Sequence, residues 1–155
     1  YKESAGQDKN MIITKPYIFK VRYYETDKMG IVHHSNYIRW MEEARLDYLE
    51  QLGQRFDKLE ADGVISPVVS VSCNYKISCI FGDTVEIKVK LIEYTGIRYV
   101  FEYEIVRAGS GETAATGRSE HCVINKDGRP VSIKRRFPAF DSLLSECVNR
   151  DKDCF

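Results

Sequence analysis

Hydrophobic and polar residues alternate with a period of two from Pro16 onward, with Ile18, Lys20, Arg22 and Tyr24 set against Phe19, Val21 and Tyr23. That spacing predicts a first strand over 16–24. A polar stretch, Glu25–Thr26–Asp27–Lys28–Met29–Gly30, then interrupts it. After His34 the spacing changes to three and four, through Tyr37, Met41, Ala44, Tyr48 and Leu52. This is the apolar stripe of a long helix, with Glu42, Glu43, Asp47 and Glu50 mostly off it. Ser35 or Asn36 is the expected N-cap and Gly53 the C′ residue. Residues 54–62 predict one more helical turn, with Phe56 and Leu59 inward and Gly63 ending it.

The period returns to two at Val64. Strands are predicted over 64–79, 84–94, 98–107 and 112–125, separated by turns at Phe81–Gly82–Asp83, Thr95–Gly96, Gly109–Ser110–Gly111 and Lys126–Asp127–Gly128. Val85, Ile87, Val89 and Leu91 share one face, as do Tyr99, Phe101, Tyr103 and Ile105. A last helix is predicted over 140–148 with Phe140, Leu143, Leu144 and Cys147 inward, followed by a frayed tail. The order of strand, long helix and four strands predicts an α+β fold: a five-stranded antiparallel sheet curled around one helix of about 17 residues, roughly 25 Å long. That helix alone is expected to cover the inner face.

At 155 residues the chain reads as one domain over 11–148, with 1–10 as an expression leader or disordered tail before Met11 and 149–155 as a C-terminal tail. Its 43% hydrophobic content supports a core, and 23 basic against 23 acidic residues argue against broad binding to nucleic acid or to an anionic membrane. No apolar run reaches the length of a membrane span. Five cysteines at irregular spacing, Cys73, Cys79, Cys122, Cys147 and Cys154, read as free thiols in a cytoplasmic protein, with a disulfide as the alternative.

The candidate chemistry lies before the long helix. Asp27 sits in a glycine-containing loop seven residues ahead of His34, at the helix mouth. Free amides and the positive end of the helix dipole stabilise negative charge there. A carboxylate beside such a mouth can attack a carbonyl or activate a water, while the amides hold the developing oxyanion. A lone Asp in such a loop is ordinarily a turn residue, and a lone His a capping one. A metal site from His33, His34 and His121 is disfavoured because adjacent histidines rarely converge on one ion. A cysteine nucleophile has no Cys near the motif, and a serine nucleophile lacks the G-x-S-x-G elbow.

The segment Tyr23–Tyr24–Glu25–Thr26–Asp27–Lys28–Met29–Gly30, with Val32, His34, Asn36, Tyr37, Trp40 and Glu43–Ala44–Arg45, resembles the signature of the 4-hydroxybenzoyl-CoA thioesterase family, in the branch associated with the Tol-Pal system and its relatives. The resemblance spans about residues 16–145 and includes Ser66–Pro67–Val68–Val69–Ser70. It implies a hotdog fold and hydrolysis of an acyl-CoA thioester without metal or redox cofactor. It also implies a homodimer or homotetramer with sites at the subunit interface. Asp27 falls on the family's catalytic carboxylate, described as nucleophile or general base. His34 falls on the helix-mouth position whose backbone amide is the usual oxyanion donor, and Tyr23 on a tyrosine four residues before the carboxylate. Gly30, Val32, Asn36 and Tyr37 are expected to bind substrate. Ser35 stands where Pro or Ala is frequent. Lys88, Lys90 and Lys134–Arg135–Arg136 are candidates for the CoA phosphates. An acyl carrier protein thioester as substrate, or a non-catalytic acyl-binding scaffold, are the alternatives.

Overall fold

The strands expected over 84–94 and 98–107 span those residues in the structure, whereas the one expected over 112–125 ends at Cys122, beyond which Ile124 makes only isolated bridges. The computed structural model describes residues 13–152. Its elements are β1 (Tyr17–Lys20), a 3₁₀ turn (Tyr23–Glu25), α1 (Ser35–Gln51), α2 (Phe56–Ala61), β2 (Val68–Tyr75), β3 (Thr84–Tyr94), β4 (Arg98–Arg107), β5 (Glu112–Cys122), α3 (Ile133–Arg136) and α4 (Pro138–Lys152). The strands form one antiparallel sheet in the order β1-β3-β4-β5-β2, the expected α+β hotdog arrangement. The reading of residues 1–10, the start at Met11 and Cys154 all lie outside the described residues.

The long helix buries Tyr37, Trp40, Met41, Ala44 and Tyr48 against the sheet. Gly117 on β5 permits that approach. A Cβ there would lie 2.1 Å from Met41 Sδ, far inside van der Waals contact. Gly53 follows the helix in the left-handed region at φ +81°, as a C′ glycine does.

Four further expectations are corrected. First, α1 does not cover the inner face alone. Phe140 of α4 meets the Tyr99 ring edge-on at 5.9 Å, and Asp151 reaches both Tyr48 Oη (2.7 Å) and the Leu91 amide (2.8 Å). The tail expected to fray is therefore helical to Lys152, with Asp151 buried. Second, the first strand ends at Lys20 rather than Tyr24. Val21 bonds out to Asp83 and Gly82, and the Glu25 carboxylate accepts from the Arg22 amide at 2.8 Å, winding 23–25 into a 3₁₀ turn. Third, β2 occupies only the middle of 64–79. Ser66 is bonded to Tyr99 and the Cys122 carbonyl, and the amides of Lys76 and Ile77 both converge on Ala114 O. Fourth, residues 133–136 form a short helix that periodicity did not reveal, with Ser132 Oγ accepting from the Arg135 amide.

Cys73, Cys79, Cys122 and Cys147 are free thiols. Among the described residues, no helix is long and apolar enough to cross a membrane.

Candidate active site

The loop before α1 is built by its own hydrogen bonds. The Asp27 amide donates to Ile31 O, the Gly30 amide to Asp27 O (each 2.9 Å), and the Met29 amide to Asp27 Oδ1 at 2.8 Å. One carboxylate oxygen thus shapes the turn. Gly30, at φ +77°, takes the left-handed residue that closes it. The Val32 amide donates to Cys79 O, joining the loop to the segment after β2.

At the helix mouth neither Ser35 nor Asn36 caps. Both are helical, and His34 holds the N-cap position without a side-chain cap. Ser35 Oγ pairs instead with His33 Nδ1 at 2.8 Å. Asn36 is buried, and its Nδ2 donates to Glu25 O at 2.8 Å, tying loop to helix. The mouth amides are mostly engaged: His33 to Glu25 O, Ser35 to His33 Nδ1, Asn36 to His33 O and Tyr37 to His34 O. The His34 amide pairs with no acceptor among the described residues.

Asp27, Val32, His34 and Tyr37 line one cavity of about 300 Å³, together with Met29, Ile31, Tyr75, Lys76, Ile77 and Ser78. Of the residues expected at the site, four thus share its wall. Gly30 shapes the loop behind them, and Asn36 faces Glu25. Tyr23 stands apart: it is 77% exposed and packs edge-on against Phe81 at 5.6 Å. It therefore lies neither on a strand nor in the core.

Sequence reasoning missed Tyr75 and Lys76, which arrive from 41 residues beyond His34. Tyr75 Oη donates to His34 O at 3.0 Å, and its ring meets Tyr37 edge-on at 5.0 Å. Burial, reinforced by the neighbouring Cys73, pushes the Tyr75 phenol up to about 12, so it stays a donor at neutral pH. In the sequence Tyr75 was one residue inside the strand expected over 64–79; only the structure ends β2 there. Lys76 is the cation in the cavity wall. Lys88 and Lys90, candidates for phosphate contacts, line other hollows, and Lys134, Arg135 and Arg136 are exposed on α3.

A carboxylate, an unengaged helix-mouth amide and a cation around one cavity can activate water or attack a carbonyl, and can hold the oxyanion that results. Residues 21–146 match the family model of the thioesterase-like superfamily. The chain is 36% identical over 120 residues to YneP of Bacillus subtilis, whose name gives acyl-CoA thioesterase as a provisional activity; the match covers 77% of this chain and 86% of YneP. It is 27% identical to the acyl-CoA thioesterase YbgC of Haemophilus influenzae, over 77% of this chain and 88% of YbgC. Among solved structures, a DHNA-CoA thioesterase from Staphylococcus aureus superposes with a TM-score of 0.85 at 36% identity, covering 91% of this chain and 95% of that one.

Proposed function

The chain belongs to the thioesterase-like superfamily, and from that premise we propose that it hydrolyses an aromatic acyl-CoA thioester at the Asp27 cavity. The observation that carries the reading is the shared wall: Asp27 and the His34 helix mouth line the same cavity. The His34 amide holds the carbonyl oxygen as it becomes an oxyanion. Asp27 either takes a proton from water, so that hydroxide adds to the carbonyl, or adds directly to give an anhydride that water then opens. In both routes the carbon–sulfur bond breaks, CoA leaves as thiolate, and the acid is released.

An aromatic acyl group is favoured by the tyrosines Tyr37 and Tyr75 in the wall and by the DHNA-CoA thioesterase among similar structures. The narrower placement with the 4-hydroxybenzoyl-CoA thioesterases, read from Tyr23–Gly30, belongs to the same proposal, as does a link to the Tol-Pal-associated branch, for which the YbgC relative speaks. So do a cytoplasmic location, consistent with four free thiols, and assembly into homodimers or homotetramers.

Thiol release from a panel of aroyl-CoA, aliphatic acyl-CoA and acyl carrier protein thioesters tests this directly. Turnover is expected on aroyl-CoA, and Asp27→Asn should lower kcat by about 10²–10⁴, the loss for a positioned acid–base group. Single turnover in ¹⁸O-water leaves label in the Asp27 carboxylate if it is the nucleophile, and only in the released acid if it is the base. Full activity in folded Asp27→Asn would remove Asp27 from the chemistry. Absence of turnover on every thioester would leave an acyl-binding scaffold.

A further inference from the structure

At about 300 Å³ the Asp27 cavity lies at the bottom of the size range for small-molecule sites. It accommodates a thioester carbonyl and the groups next to it. The nucleotide end of a CoA thioester must then lie on the surface beyond the cavity, where an adenine needs an aromatic face and its phosphates need cations.

One corner of that surface meets both needs. Tyr23 and Phe81 are 77% and 59% exposed, yet pack edge to face at 5.6 Å with an interplanar angle of 89°. Tyr24 and Ile80 beside them in the chain are exposed as well. Single exposed apolar residues need no explanation, but a cluster of aromatic ones does. The corner adjoins the cavity through both of its strands of chain: Asp27 follows Tyr23 by four residues, and Ser78, in the cavity wall, precedes Phe81 by three. The two segments are fastened together by Val32 N to Cys79 O, Gly82 N to Val21 O and Val21 N to Asp83 O, at 2.9, 3.2 and 2.9 Å.

The charges also fit. Arg22 and Lys28 flank Tyr23 and Asp27 on the same segment; the Arg22 side chain is 42% exposed with one end 3.9 Å from the Glu25 carboxylate, Lys28 is exposed, and Lys76 lines the cavity. The nearby carboxylates are occupied: Glu25 is buried beneath Trp40, and Asp83 is paired with Arg107 at 3.2 Å.

We propose that the Tyr23–Phe81 corner is the stacking platform for the adenine of the CoA substrate, with Arg22 and Lys28 toward its phosphates. This rests on the reading that the substrate is a CoA thioester. It gives Tyr23 a role through its ring rather than its hydroxyl.

Calorimetry with free CoA and with pantetheine on the intact protein tests the platform independently of turnover. Base–aromatic stacking of ordinary strength corresponds to about tenfold or more in affinity. Phe81→Ala and Tyr23→Ala are expected to weaken CoA about tenfold and leave pantetheine unchanged, while Tyr23→Phe binds CoA as the parent does. Unchanged CoA affinity in both alanine variants would overturn the proposal. An equal loss for pantetheine would do the same. So would a change of molecular mass in Phe81→Ala with CoA affinity intact, which would make the corner a contact between copies. CoA binding that follows the expected pattern without turnover on any thioester would instead count against the hydrolytic reading alone.

Discussion

Trp40 Nε1 donates to Glu25 Oε2 in the core, and this bond fastens the Asp27 loop to the long helix. Glu25 is 4% exposed; its other carboxylate oxygen holds the Arg22 amide, and its carbonyl accepts from Asn36 Nδ2 and the His33 amide. Among the described residues, the bonds that run directly from the loop to α1 and its mouth are made by Glu25, while the Cys79 carbonyl holds Val32.

Replacing Glu25 by Ala strands the buried Trp40 N–H and the Arg22 amide. Each orphaned donor costs about 1–3 kcal/mol, so urea denaturation is expected to show a loss of roughly 2–6 kcal/mol. Turnover should fall even where the variant is still folded, because the turn that carries Asp27 keeps only the bonds to the residue-25 carbonyl. Parent-like stability would show that Glu25 is not the fastening.

His34 separates backbone from side chain. Ala at this position keeps the unengaged amide, so a partial loss of turnover is expected. Pro removes the donor and is expected to abolish turnover in folded protein. Equal rates for the two variants would dismiss the helix-mouth amide as oxyanion donor.

His121 is expected to contribute to the loss of stability in acid. Its Nε2 pairs with Ser119 Oγ at 2.7 Å, and its ring stacks on Tyr99 at 5.2 Å. Burial, with help from the Arg45 charge, lowers its pKa to about 3. The unfolded chain, with an ordinary His near 6.5, therefore binds the proton better, and stability falls as pH drops below about 6.5. The expected loss between pH 7.5 and 5 is about 2 kcal/mol from this group. Chemical denaturation of His121→Gln should show a flatter profile over that interval. Parallel profiles would show that His121 does not set the slope.

The edge strand β2 predicts assembly. Val68 and Val71 remain 49% and 40% exposed on a strand that, among the described residues, pairs only with β5, and Ile38 of α1 is 43% exposed beside Val71 in a small hollow. Uncovered apolar edges invite pairing, and identical chains pair about a two-fold axis. Light scattering is expected to give at least a dimer, and Val71→Lys a lower mass. A stable monomer of the unaltered chain at micromolar concentration would contradict this.

The strands β3 and β4 were legible to the residue because alternation and glycine turns are local signals. The site was legible in part for the same reason: Asp27, Val32, His34 and Tyr37 belong to one contiguous motif. What escaped depends on contacts made at a distance. Tyr75 carries no motif, and its role exists only because the β2–β5 register sets it against His34. Glu25 stood in a polar stretch, and the burial of its carboxylate depends on Trp40, fifteen positions away. Asp151 looked like part of a charged tail for the same reason, its partners being Tyr48 and Leu91.

Tyr75 occupies the last position of the edge strand while its hydroxyl holds the carbonyl of His34. A chain that joins along β2, as expected above, would abut the residue whose hydroxyl holds the helix-mouth carbonyl. Rate per chain is therefore expected to change on dilution, with the shape of an association curve, even at saturating substrate. Pairing along the sheet edge would then act as a throttle, with the concentration of the protein itself a variable in its own rate law.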